Sequence, residues 1–307
     1  MIDFLDLIRK KDILRFKNIG GLTIGEKAIL TASLGSGVYL CGDFVTASKL
    51  KFALNNLNFK TEIISCGREI EDIHDPNLFH FANSVSKFLN EELDFLIFLP
   101  SSMTSKFNID FLKQKFEINK ENSYSLDDIC EKLTSFGYER VDYVNIEGQF
   151  AVRGDILDIF IYGETSPMRV EFFDEDVERI IQFETSSMKT LKELDNIDIL
   201  PLILMTGNDD AGMLTENFII DEPVKIENEC AILENSRKNL SWNDEGLFLP
   251  FSKLLKEKKI VFTNTEIASY ENSTIGQKSY LTDFLSLKKD IELYRYENIS
   301  TFLFVGQ

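Results

Sequence analysis

Short apolar runs alternate with longer amphipathic stretches over the first third of the chain. The predicted helices cover 26–34, 44–57 and 77–90, and the predicted strands cover 38–42, 60–66 and 93–100. Buried strands that alternate with helices are typical of βαβ units. We therefore expect a parallel sheet covered by helices, preceded by a short amphipathic helix over 1–17.

The pattern changes after Lys115, where one capped helix is followed by strands with short connections. Ser125 and Gly137 fit the two caps of a helix over 125–137. The strands predicted after it are RVDYVNI, GQFAVRGDILDIFI, MRVEFFD and VERIIQFE, with a hairpin turn at 174–176. Strands without intervening helices favour an antiparallel sheet, so we expect a separate α+β domain over 118–205.

Alternating strands and helices return in the last third of the chain. The pattern predicts strands in NFIIDEP, KKIVFTN and STFLFVGQ, and helices over 227–240 and 280–297. Each flank has too few strands for a covered sheet of its own, so we expect 1–117 and 206–307 to form one α/β domain interrupted by 118–205. The last strand ends without a following loop, which favours a chain that is part of a longer protein.

Composition and charge narrow the class of protein. The 307 residues are 44% hydrophobic and 12% aromatic, which is enough for a real core and excludes a disordered chain. Lys and Arg number 33 against 51 Asp and Glu, a net charge of −18 that disfavours nucleic acid as a direct partner. Four scattered Cys, no signal peptide and no long apolar window favour a reduced cytoplasmic protein outside the membrane.

One glycine-containing segment is similar to a phosphate-binding loop. Gly21, Gly25 and Lys27 have the order of such a loop in GLTIGEKA. A working P-loop needs a glycine before the lysine and a hydroxyl after it, the first for close approach to phosphate and the second for Mg²⁺. Glu26 and Ala28 occupy those positions. We therefore expect no functional nucleotide binding, with affinity for ATP of millimolar or weaker.

Other candidate sites are weaker. Asp221 and Glu222 follow an apolar strand, as do the Mg²⁺-binding acids of ATPases, but such a pair more often supplies favourable charge at a helix N-terminus, and we adopt that interpretation. His74 and His80 lie six residues apart, which is poor for joint metal ligation. No motif for nucleophilic or metal-dependent catalysis appears. The sequence thus predicts no catalytic residue, cofactor or metal.

The predicted antiparallel sheet has one unusual face. Continuous alternation in GQFAVRGDILDIF puts Phe150, Val152, Ile156 and Phe160 on one side and Arg153, Asp155 and Leu157 on the other. In MRVEFFD the apolar side takes Met168, Val170 and Phe172, and the polar side takes Arg169, Glu171 and Phe173. An aromatic residue among charges, with arginines nearby, is typical of an interface hot spot. The alternative is that Phe173 packs under a loop and the arginines are ordinary solvated charges.

Three segments closely resemble a region shared by two bacterial repair families. They are FGYERVD (136–142), GQFAVRGDILDIF (148–160) and RVEFFDEDVERI (169–180), and ILP at 199–201 follows at matching spacing. The families are the transcription-repair coupling factors (Mfd) and the excision-repair helicase subunit UvrB. GLTIGEKA and FIIDEP also lie where UvrB has its P-loop and its Walker B acid, and the coupling factors have a decayed P-loop at this point.

The decayed P-loop favours the coupling factors over UvrB. UvrB also carries a Tyr-rich DNA-clamping hairpin, which the sequence between Lys60 and Leu93 does not resemble. The resemblance therefore implies the N-terminal UvrB-like module of a coupling factor, with a degenerate helicase-like parallel-sheet domain built from two segments and an inserted antiparallel domain. In that family RNA polymerase and DNA bind to downstream domains that this sequence does not include.

The resemblance also implies a partner and the residues that contact it. The module would be non-catalytic and would recruit UvrA to stalled RNA polymerase by imitating UvrB. The family's two arginines and one phenylalanine for UvrA binding fall on Arg153, Arg169 and Phe173. Two alternatives stay open, a UvrB-type ATP-dependent DNA helicase fragment and an acidic scaffold that binds basic proteins.

Overall fold

The computed structural model describes most of the first two thirds of the chain and short parts of the rest. The described residues are 18–20, 22–65, 76–103, 106–203, 207–237, 260–263 and 270–271. The helices expected over 1–17 and 280–297, the strand in STFLFVGQ, Gly21 and His74 lie outside them.

Among the described residues, a seven-stranded sheet takes its strands from segments on both sides of the middle of the chain. Its order is β15-β1-β14-β13-β2-β4-β3, and every neighbouring pair is parallel. The strands are β1 (Asn18–Gly20), β2 (Gly37–Leu40), β3 (Thr61–Ile64), β4 (Phe95–Phe98), β13 (Phe218–Asp221), β14 (Ile260–Thr263) and β15 (Tyr270–Glu271). The expected parallel sheet built from two segments is thus confirmed.

Helices accompany this sheet much as the apolar pattern predicts. They are α1 (Ile24–Ala32), α2 (Phe44–Asn56), α3 (Pro76–Leu89), α4 (Pro100–Met103), α5 (Ile109–Leu112) and α7 (Pro223–Arg237). Asp43 caps α2 by accepting a hydrogen bond from the Thr46 amide at 2.8 Å. Lys225 of α7 lies 2.6 Å from Asp43, so this cap also joins two helices from distant parts of the chain.

The middle of the chain forms the antiparallel part of the fold. A six-stranded sheet has the order β11-β10-β9-β8-β7-β6 and is antiparallel except for the β6–β7 pair, and β5 pairs with β12 separately. The strands are β5 (Phe116–Asn119), β6 (Glu139–Arg140), β7 (Gln149–Arg153), β8 (Ile156–Phe160), β9 (Met168–Phe173), β10 (Asp176–Phe183), β11 (Thr190–Leu194) and β12 (Asn196–Ile199). Helix α6 (Leu126–Ser135) begins at the predicted Ser125 cap.

Two sequence expectations for this sheet are wrong. RVDYVNI forms no strand beyond β6, because the amides of Asn145 and Ile146 bond to the Gln149 side chain and not to a neighbouring strand. GQFAVRGDILDIFI is two strands, because Gly154 has φ +58° and turns the chain so that Arg153 pairs with Ile156.

Because of that turn, the side chains of β8 point to the opposite faces of the sheet from those expected. Val152 lies opposite Leu157 in the ladder, so Leu157 joins the core face. Ile156 and Phe160 take the other side, contrary to continuous alternation.

One main core joins the two sheets. It contains Phe81 and Phe98 beside the parallel sheet together with Phe150 and Leu157 of the antiparallel sheet. A Cβ on Gly148 would lie 3.0 Å from the Phe79 ring, so the two parts are tightly packed here. The domain limits 1–117, 118–205 and 206–307 stay a prediction.

Candidate protein-binding surface

The two faces of the antiparallel sheet differ in polarity. The side chains of Phe150, Leu157, Val170 and Phe172 belong to the main core. The opposite side carries Arg153, Asp158, Arg169 and Phe173, and we call it the arginine face. Alternation along β9 is clean, with Met168, Val170 and Phe172 buried and the residues between them at least partly accessible, as the sequence predicts.

Asp158 is the centre of this face. Its side chain is buried and stands opposite Arg169 in the β8–β9 ladder. Arg169 donates from Nε to Oδ1 at 2.7 Å and from Nη2 to Oδ2 at 2.9 Å. Arg153 donates from Nη2 to the same carboxylate. A buried carboxylate is costly unless it is paired and hydrogen-bonded, so both arginines stabilise it.

Each of the two guanidinium groups also lies over an aromatic ring. Arg169 lies 4.9 Å from the centroid of the Phe183 ring, and Arg153 lies 4.7 Å from that of Tyr143. Hydrogen bonding to Asp158 raises the pKa of Arg169, although desolvation opposes the shift. The alternative that these arginines are ordinary solvated charges is therefore wrong.

Phe173 differs from every apolar neighbour on its strand. It ends β9 and its side chain is 70% exposed, whereas Phe172 beside it is buried. Asp174 follows with φ 60°, in the two-residue turn that leads into β10. The expectation that Phe173 lies on the polar face is confirmed, and the alternative that it packs under a loop is wrong.

The sequence interpretation missed Asp158, Tyr143 and Phe183. The signal for Asp158 was the turn glycine, because a hairpin at Gly154 places Asp158 and Arg153 on the same side of the sheet. Tyr143 and Phe183 approach the arginines from outside β7–β9, and no spacing rule along one strand reveals such contacts.

The segment similar to a P-loop begins a helix that caps itself. Thr23 is the N-cap of α1, and its amide donates to Glu26 Oε2 at 2.8 Å. The Glu26 amide donates back to Thr23 Oγ1 at 3.4 Å, which completes a capping box. Gly25 lies inside this first turn with open space beside it.

Lys27 points into the protein and binds Asp221. Its Nζ lies 2.6 Å from Asp221 Oδ1, and both side chains are buried. The Tyr39 hydroxyl donates to Asp221 Oδ2 at 2.8 Å, and desolvation by burial raises the pKa of this tyrosine well above its ordinary value. Helix α7 begins directly after Asp221 and Glu222, as expected, and the Asp221 carboxylate is in addition bound by Lys27 and Tyr39. Asp221 ends β13 and joins that strand to α1 through Lys27.

The other candidate groups give no site in the described part of the chain. His80 Nε2 lies 2.9 Å from the Ile63 carbonyl oxygen. Among the described residues there is no group of three or more His, Cys, Asp or Glu that could hold a metal ion. None of the described helices is long and apolar enough to cross a membrane.

Comparison with known proteins points to the same region. Residues 116–203 match the family model of the UvrB interaction domain. The chain is 37% identical over 84 residues to the transcription-repair-coupling factor of Escherichia coli, which covers 27% of this chain and 7% of that protein. It is 35% identical over 92 residues to UvrABC system protein B of Kosmotoga olearia, which covers 30% of this chain and 14% of that protein.

These matches confirm the resemblance predicted from the sequence for the antiparallel region, and they span only a small part of either relative. The match to the family model includes β5 through β12 and therefore the whole arginine face.

Proposed function

We propose that this chain is a non-catalytic module that binds UvrA through its arginine face. The observation that carries the proposal is Phe173, which is 70% exposed on the face where Asp158 holds two arginines. This arrangement lies within the match to the UvrB interaction domain.

The geometry suits a partner with carboxylates around an apolar pocket. Phe173 is available as an anchor whose burial contributes affinity, as central aromatic residues of interfaces do. Arg169 uses Nε and one N–H of Nη2 on Asp158, which leaves both N–H groups of Nη1 for a partner. Since the guanidinium groups are already fixed, less rotamer freedom is lost on binding.

The biological role follows from the resemblance. In this proposal the module imitates UvrB and recruits UvrA to stalled RNA polymerase in transcription-coupled nucleotide excision repair, in the cytoplasm. RNA polymerase and DNA would be bound by other parts of a longer protein. The acidic-scaffold alternative would bind basic proteins without needing Phe173, and its affinity would fall strongly as salt is added.

Absence of ATP chemistry is part of the proposal. Lys27 is bound to Asp221, and the N-terminal turn of α1 is capped by its own Thr23 and Glu26. A phosphate would have to displace both sets of contacts. We expect ATP to bind no tighter than about 1 mM, near −4 kcal/mol. Calorimetry that gives micromolar ATP binding, lost in Lys27→Ala, would contradict this.

Competition with UvrB tests the partner and the surface together. Purified UvrA is captured on the immobilised chain, and purified UvrB is then added in increasing concentration. We expect UvrA to bind and UvrB to displace it fully, because both would use the same site on UvrA. Capture that UvrB leaves unchanged would show a different site, and absence of capture would refute UvrA as the partner.

A further inference from the structure

A second exposed aromatic residue lies beside the arginine face, on the loop between β6 and β7. Tyr143 and Ile146 are 64% and 62% exposed, although both are large and apolar. The loop backbone is nevertheless fixed. Gln149 Oε1 accepts hydrogen bonds from the amides of Asn145 at 3.1 Å and Ile146 at 3.3 Å. A loop whose backbone is already fixed loses little entropy when a partner covers it.

Tyr143 and Arg153 hold each other in place. The Arg153 guanidinium lies 4.7 Å from the centroid of the Tyr143 ring, within the range of a cation–π contact. Its Nη1 donates to the Asp142 carbonyl oxygen at 2.9 Å, and its Nη2 donates to Asp158. The guanidinium is thus held by a ring, a carbonyl and a carboxylate, and the loop is held by the arginine.

The loop and Phe173 are close enough for one partner to contact both. Arg153 pairs with Ile156, which pairs with Glu171, and Phe173 lies two residues further along β9 on the same side. With strands about 4.8 Å apart and a rise of about 3.3 Å per residue, the backbones at Arg153 and Phe173 are about 12 Å apart. A typical partner covers about 800 Å² on each side, which is wide enough to include both.

We propose that Tyr143 is a second contact of the UvrA-binding surface and that it positions Arg153 for this partner. The inference rests on the proposed function, which supplies the occupant. The contact with Arg153 separates Tyr143 from the other exposed apolar residues in the described part of the chain. The covered part of UvrA would present an apolar patch beside a carboxylate, the first against the tyrosine ring and the second against the remaining N–H groups of Arg153.

The test compares four variants of the full chain in calorimetric titrations with purified UvrA. Tyr143→Ala is expected to weaken binding about tenfold, because it removes both the ring and the support of Arg153. Tyr143→Phe keeps the ring and should bind within about twofold of the wild type. Ile146→Ala is the matched control, since it lies on the same loop and is about as exposed as Tyr143. Phe173→Ala reports on the proposed function itself.

The outcomes separate the two hypotheses. If Phe173→Ala weakens binding and Tyr143→Ala does not, the inference about Tyr143 is wrong and UvrA binding stands. If Tyr143→Ala and Ile146→Ala weaken binding equally, the role of the loop is only structural. The same conclusion holds if Tyr143→Phe binds weakly and melting shows that Tyr143→Ala is partly unfolded. If no variant weakens binding, the proposed function fails as well.

Discussion

Among the described residues, Asp221 of the parallel sheet and Asp158 of the six-stranded sheet are buried carboxylates paired with basic side chains. Lys27 and Asp221 are 9% and 2% exposed, so the pair is closed to a partner. Arg153 and Arg169 are 33% and 17% exposed, although the Asp158 that they share is as buried as Asp221. The position of the cation, and not the burial of the carboxylate, decides whether positive charge remains available at the surface.

The two clusters also differ in net charge. One lysine and one aspartate sum to zero, whereas two arginines and one aspartate leave +1. Glu171 on the same side of β9 offsets this charge, so the arginine face is close to neutral in a chain that carries −18. A buried pair can hold a fold together without contributing to recognition, and the arginine face has the features required for both.

The largest expected effect is on the closed pair. Lys27→Ala removes the ion pair of the buried Asp221 and keeps the hydrogen bond from Tyr39, so we expect the free energy of unfolding to fall by about 3–5 kcal/mol. Urea unfolding followed by circular dichroism measures this loss. The double variant Lys27→Met with Asp221→Leu should regain most of it, because no charge is then left unpaired. A loss below about 1 kcal/mol in Lys27→Ala would mean that water reaches this pair.

A smaller loss of stability is expected for the cluster of Arg153, Arg169 and Asp158 on the arginine face. Arg169→Glu places a second carboxylate against Asp158, and Arg153 alone then neutralises it. We expect the free energy of unfolding to fall by about 2 kcal/mol. Arg179→Glu is the matched control, because its ion pair with Glu193 at 3.7 Å is exposed and should contribute less than about 1 kcal/mol. Equal losses in the two variants would contradict the role given to Asp158.

The structure therefore changes the interpretation of arginine variants. A weakened partner affinity in Arg169→Glu could come from lost contacts or from a disturbed sheet. Stability has to be measured beside binding for both arginines, whereas Phe173 is free of this ambiguity because its side chain is mostly exposed.

The smallest effect concerns the α2 cap. Desolvation alone would raise the pKa of Asp43, but hydrogen bonds from Lys225 and Thr46 outweigh it and lower the pKa to about 2. A carboxylate with a lowered pKa stabilises the fold fully above its unfolded pKa of about 3.9, and this contribution is lost as the pH falls toward 2. Asp43→Asn should therefore flatten the loss of stability between about pH 4 and pH 2. An unchanged acid profile would contradict the coupling.

The sequence predicted the fold better than it predicted the site. Regular alternation identified β9 and the side of it that carries Arg169 and Phe173, because each buried position packs against one core. It did not reveal β11, where Leu191 is exposed and only Leu194 packs against the core, so no apolar period marks the strand.

Long-range pairing explains the remaining errors. Lys27 and Asp221 are far apart in sequence and meet only because β13 lies beside β2 in the parallel sheet. Their contact depends on the strand order, which no local pattern specifies. Asp158 was missed for a local reason, since one turn glycine reversed the expected facing of β8.

The central claim is that the exposed aromatic residue of the arginine face anchors UvrA. The most direct test is the dissociation constant of UvrA for Phe173→Ala, with Phe52→Ala as the control because Phe52 is also more than half exposed but lies on α2. We expect Phe173→Ala to weaken binding by about 30-fold, near 2 kcal/mol, without a change in melting temperature. Phe52→Ala should bind like the wild type. Folded Phe173→Ala with wild-type affinity would contradict the account.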